Sequence, residues 1–159
     1  MTAPETVDQA LIDRVLAQAR ASARLRKNHN FHDSPAHPCQ RLLNAVLPGA
    51  YIQPHRHLDP NKAEALVILR GRLGIVFFDE GGTVTGKAVL EAGGPSVAIN
   101  IPAGQFHGAA ALAPAVVFEA KAGPYAAHLP EEKARFAPEE GSPEAAGYLA
   151  RLTRLFDGD

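Results

Sequence analysis

The chain has no tryptophan, one methionine and a single cysteine, Cys39. One cysteine excludes an internal disulfide and fits a reducing compartment, and a packed or exposed thiol is its expected role. No apolar run approaches the roughly 20 residues that a membrane-spanning helix needs. The N-terminus lacks the basic stretch and apolar core of a secretory leader. A cytoplasmic protein without a membrane partner is therefore expected. Charge of one sign is missing too: 16 Lys and Arg stand against 17 Asp and Glu, for a net −1. With no basic stripe, no nucleic-acid partner is expected.

What the chain does have is turns and short apolar runs. Glycine (14) and proline (13) are plentiful, and hydrophobic residues make up 46% of the 159. That length suits one domain, 1–159, with a sizeable core. Strands are expected over Gln40–Leu47, Ala65–Arg70, Leu73–Phe78, Thr83–Leu90, Val97–Ile101 and Ala115–Lys121. Between them lie Pro48-Gly49, Asp79-Glu80-Gly81-Gly82 and Glu91-Ala92-Gly93-Gly94-Pro95 as turns. Both parities of Leu73–Phe78 are apolar, as in a strand covered on two faces. Many short strands at this spacing argue for an all-β sandwich or barrel over residues 40–126.

Helices flank it. Residues 5–27, within an N-terminal segment 1–28, carry Val7, Leu11, Ile12, Val15, Leu16 and Ala19 at three- and four-residue spacing. Thr2 and Glu5 have capping-box spacing, with Pro4 in the first turn. Arg20, Arg24, Arg26 and Lys27 gather where cations complement a helix C-terminus, or where they would meet a sugar phosphate. Asn28–Pro38 reads as a loop holding His29, His32 and His37 in solvated or hydrogen-bonding roles, with His32 a candidate pocket residue. In the satellite 129–159, Glu131–Phe136 suggests a helical turn or two. Pro143–Phe156 suggests a docking helix with Leu149, Leu152, Leu155 and Phe156 as its stripe.

The chemistry concentrates in Tyr51–Gly71, YIQPHRHLDPNKAEALVILRG. In an extended segment His55 and His57 point one way and Arg56 the other. Leu58-Asp59-Pro60-Asn61-Lys62 has a turn's composition, and Glu64 opens the returning strand. Far along the chain, Pro102-Ala103-Gly104-Gln105-Phe106-His107 is a turn ending in a fourth donor. His55, His57, Glu64 and His107 make a three-nitrogen, one-oxygen set suited to one borderline divalent ion: zinc, iron(II), nickel or manganese. The plainer alternative is a set of strand and loop histidines without an ion. Glu119 and Lys121 share a strand face, and Tyr125 follows. They are candidates for proton transfer or anion holding, or else a solvated pair beside a strand whose Val116–Phe118–Ala120 face is turned inward.

Gly49-x5-His55-x-His57…Glu64-x6-Gly71 resembles the first cupin motif, and Pro102-x-Gly104-x-x-His107 the second. Six residues between His57 and Glu64 exceed the usual three or four, and Ala109–Ala111 stand where a later Asn is expected. Arg41-Leu42-Leu43-Asn44, Pro54–His57, Leu69–Arg72 and Phe118–Tyr125 extend the likeness to the small WbuC-type cupin-fold metalloproteins, over residues 24–126. That resemblance implies a double-stranded β-helix (jelly-roll) barrel around a divalent metal, in bacterial surface-polysaccharide metabolism. It allows a homodimer, since cupins commonly pair through their sheets. Three functions fit: a metal-dependent isomerase- or epimerase-like enzyme on a nucleotide sugar or sugar phosphate; an iron-dependent oxygenase; and a non-catalytic metal-bound protein holding a sugar-like ligand.

Overall fold

In the computed structural model, which describes residues 4–158, α1 covers Gln9–Ala21 and is followed by eight strands and a second helix. The strands are β1 Arg26–Asn30, β2 Cys39–Val46, β3 Glu64–Arg70, β4 Arg72–Phe78, β5 Val84–Glu91, β6 Ala98–Ile101, β7 Phe106–Ala111 and β8 Ala115–Ala122; α2 is Ala145–Arg154. All pairings are antiparallel, in two sheets ordered β1-β2-β8-β3-β6 and β5-β4-β7.

The sheets face each other, but no ladder joins them, so the expected barrel is an open two-sheet sandwich. The reason lies in the stretch before β3. Pro54 has no N–H to give, and the neighbouring His55 makes only isolated bridges, to His107 and Lys133. His55 and His57 therefore do not sit on a strand paired with β3, as a hairpin reading expects.

Three apolar clusters stack through the molecule. Between the sheets lie Leu66, Ile68, Leu73, Ile75, Leu90 and Ile101. On the outer face of the larger sheet, α1 buries Leu11, Ile12, Val15 and Leu16 against Leu43, Ala45 and Val116. On the outer face of the smaller, Leu149, Leu152 and Phe156 meet Val76, Phe78 and Phe106. Both faces of β4 are thus covered, and its double apolar parity follows.

The first helix is shorter than 5–27. Asp8 caps it, its carboxylate accepting the Leu11 N–H at 2.8 Å, while Thr2 lies outside the described residues. The helix stops at Ala21, and Arg26–Asn30, part of it expected to be helical and part to be loop, pairs with β2 as an edge strand. Arg24 and Arg26 leave the helix terminus and clasp Glu140 in the C-terminal segment. Of the three histidines expected in a loop, His29 lies on β1 and meets Glu5, while His32 and His37 bond the backbone at Arg41 and Cys39. Residues 131–136 form turns and a bridge instead of helix.

The Arg24 hydrogen bond, aided by Arg26, draws the Glu140 carboxyl down from 4.5 to about 2. A depressed carboxyl contributes stability above its unfolded value and loses it as pH falls through the folded one. The stability gap between wild type and Glu140→Gln is therefore expected to be full above pH 4.5 and to close on acidification toward pH 2. Urea titrations across that range read it; a pH-independent gap contradicts the clasp.

Gly71, in the β3–β4 turn, has φ +76°, and a Cβ there would sit 1.9 Å from the Pro114 carbonyl oxygen. That obstacle is backbone and cannot swing aside. Gly71→Ala is expected to cost at least about 2 kcal/mol, a fall of about 4–8 °C in Tm for a chain of this size. A thermal melt within a degree of wild type overturns this.

Candidate metal centre

Glu64, first residue of β3, lies inside the larger sheet, opposite Ile101 on β6 and Lys121 on β8. Its carboxylate is buried and meets three cations or imidazoles. Oε1 lies 2.8 Å from His57 Nε2 and 2.7 Å from Lys121 Nζ, and Oε2 lies 3.1 Å from His107 Nε2. Burial alone would push this carboxyl up. The bonds from His107 and His57, with the Lys121 charge, outweigh it and hold Glu64 well below the usual carboxylate range.

The histidines come from two segments bound to each other. The His55 and His107 main chains exchange both N–H···O bonds at 2.9 Å, and the Gly104 N–H of the Pro-x-Gly turn donates to the His57 carbonyl at 2.7 Å. Gly104 has φ +85°, the left-handed conformation that lets the turn present that N–H. The second motif thus works as a backbone clamp on the first. Across it, the His55 and His107 ring centroids are 4.7 Å apart.

The ring tautomers follow from the acceptors. His55 Nδ1 lies 3.0 Å from the Gln53 carbonyl, and His107 Nδ1 lies 3.0 Å from the Gln105 carbonyl. A carbonyl only accepts, so each Nδ1 carries the hydrogen and each Nε2 is left to face the cluster. His107 Nε2 thus faces a Glu64 carboxylate oxygen at 3.1 Å, a contact that a second ring proton closes as a hydrogen bond and that a cation would close in its place. Donation of the second ring N–H to a backbone carbonyl is also how ligating histidines are usually oriented. Burial, then His107 and His128, push His55 well below its ordinary value, keeping it a neutral donor.

Ligand atoms fall into two groups, each within 4.8 Å: His55, Glu64 and His107, and His55, His57 and His128. The donor set fits a divalent ion. His128 is the residue that sequence patterning missed; it is a lone histidine in a proline-bounded loop with no motif around it. Its ring stacks on His55 at 4.3 Å and lies 5.2 Å from His57.

Of the other candidates, Glu119 and Lys121 project between the sheets, on the same side as Val117, so the Val116–Phe118 face is the one turned to α1. Glu119 Oε1 lies 2.8 Å from Lys121 Nζ, and both side chains are largely buried. Burial would push Lys121 down, but Glu119 and Glu64 together raise it, so the ammonium keeps its charge. Tyr125 is 64% exposed, at the rim of a narrow cleft shared with His57, Lys121 and His128. Tyr51 and Gln53 point away, to the Pro138 and Ala134 carbonyls. A wider surface groove crosses β5 at Lys87, Glu91 and Pro95, with no histidine in it.

Among solved structures, a protein of Thermus thermophilus superposes with a TM-score of 0.51 at 21% identity, over 70% of this chain and 92% of its own. A conserved protein of unknown function from Streptococcus pyogenes gives 0.50 at 16%, over 66% and 80%. A cupin-superfamily protein from Desulfitobacterium hafniense gives 0.49 at 16%, over 61% and 76%. At these identities the likeness is one of fold alone. No curated protein matches the chain. No helix among the described residues is long and apolar enough to cross a membrane. A family model matches residues 7–90, just over half of the sequence and inclusive of both His55-x-His57 and Glu64, and the chain belongs to that family, described as Domain of unknown function (DUF6016).

Proposed function

We propose that this chain is a divalent-metal-binding cupin acting on a small carbohydrate, a nucleotide sugar or sugar phosphate, with isomerase- or epimerase-like chemistry. The observation that carries the reading is the buried meeting of Glu64 with His57, His107 and Lys121 beneath a cleft rimmed by Tyr125. His55, His57, Glu64 and His107 would hold the ion. When bound, a divalent ion supplies Lewis acidity and a template for sugar oxygens.

The chain's own groups supply the rest. Lys121, held protonated, is a fixed donor and positive charge for a hydroxyl or phosphate oxygen entering the cleft. Glu119 lies within hydrogen-bond reach of that ammonium and is the group placed to take and return a proton. A buried carboxylate and ammonium beside the ligand space favour catalysis over passive holding of a sugar. Tyr125 offers an aromatic face and a hydroxyl at the rim. The WbuC-type likeness of residues 24–126 supports a place in surface-polysaccharide metabolism.

Elemental analysis of protein purified without added metal, followed by thermal-shift screening against nucleotide sugars and sugar phosphates, tests this. About one ion per chain is expected. A ligand at a hundred times its Kd is expected to add about 2.7 kcal/mol, or roughly 5–11 °C in Tm. Metal-free protein that also refuses added zinc, iron(II), nickel and manganese sinks the proposal.

A further inference from the structure

We infer that His128 is itself a metal ligand, one that would join His55 and His57 in holding the ion. This rests on the metal-binding reading above. It adds a donor from a segment that neither cupin-like motif includes.

The geometry makes an accidental neighbour a poor description of His128. Its ring nitrogens and those of His55 and His57 offer three donors within 4.8 Å of one another. The same His55 belongs to the inner group with Glu64 and His107, so the two sets share a member and flank one volume. Three imidazoles suit zinc, iron(II) and nickel alike. His128 is half-buried and lines the cleft together with His57, Lys121 and Tyr125.

Placement of His128 is also built, through Glu132. That carboxylate is buried, with Oε1 accepting the Leu58 N–H at 2.8 Å and Oε2 the Leu129 N–H at 2.9 Å. Each leucine directly follows a histidine of the set. A single carboxylate therefore fixes the main chain behind His57 and behind His128 at once. Two further bonds, Arg56 N–H to the Glu132 carbonyl at 2.8 Å and Ala134 N–H to the Pro54 carbonyl at 2.9 Å, lash 132–134 to 54–56. A loop whose histidine had no business with His57 would not need one buried acid shared between the two. Glu132 is a positioning residue for this pair.

The test loads cobalt(II) into full-length wild type, His128→Ala, His128→Gln, Glu132→Gln and His55→Ala. It records the visible ligand-field spectrum and the affinity by chelator competition. His128→Ala is expected to keep cobalt but to shift its spectrum and weaken affinity at least about tenfold, since even outer-sphere partners of ligands cost that much. Added imidazole should restore the wild-type spectrum, which a packing defect would not allow. His128→Gln, close in bulk, should shift the spectrum likewise, and Glu132→Gln should shift it partway. If His128→Ala and His128→Gln match wild type in spectrum and affinity while His55→Ala has lost cobalt, the inference is wrong and the metal reading stands. If wild type takes up no cobalt, both fall.

Discussion

His55→Ala and His107→Ala proteins are expected to come off purification with bound divalent metal reduced at least tenfold, and with their secondary structure intact. The separation of the two effects follows from how the segments are joined. The main-chain bonds between residues 55 and 107 do not involve either ring, so truncating an imidazole leaves the clamp in place. His107 also stays in register with Phe77 on β4, through backbone alone. What disappears is an Nε2 donor whose tautomer the Gln53 or Gln105 carbonyl had set. His55 should be the more sensitive position, because both donor groups include it and only one includes His107. Elemental analysis beside circular dichroism reads the result. Full metal content in both variants counts decisively against the site; a collapsed dichroism spectrum means the rings hold up the fold instead.

How far such a site can be read from sequence depends on which kind of signal each residue carries. His55, His57, Glu64 and His107 are readable because they stand in short motifs whose Pro and Gly fix the backbone. Gly104, at φ +85°, is a position that side chains resist, so the turn before His107 announces itself. Strand periodicity placed β2 to β6 and β8 nearly to the residue. β1 escaped because Arg26–Asn30 is an edge strand of polar residues, with no apolar alternation and with arginines that look like a helix terminus. Glu119 and Lys121 were half legible. Parity put them on one face, but only the register of Glu64 against Lys121 tells which face looks inward. The closed barrel was an inference from family shape, and Pro54 at the seam argues against closure on local grounds. His128 had no local signal at all. Its place is a tertiary fact, visible only once Glu132 is seen to bind the amides after both His57 and His128.

Lys121→Met is expected to destabilise the metal-free protein by about 3–5 kcal/mol, the usual cost of stranding a buried charge. Methionine fills most of the volume, so the loss is electrostatic and not a cavity. With the ammonium gone, Glu64 and Glu119 lose the cation that lies 2.7 and 2.8 Å from them. The sign of the pH dependence follows from Glu64. Its carboxyl is held low in the fold, so its charge stabilises the native state at neutral pH, and that contribution is lost as pH falls through the folded value. Without Lys121 that value rises, and the gap between variant and wild type should be widest near neutrality and narrow in acid. A divalent ion held by Glu64 would change the balance, since it would neutralise the carboxylate directly. Urea denaturation of Lys121→Met with and without saturating zinc should therefore recover part of the gap beyond the ordinary gain that wild type shows with the same metal. Equal zinc stabilisation of the two proteins means that Glu64 does not face the ion, and a gap that ignores both pH and zinc means that Lys121 is held by packing and not by its two carboxylates.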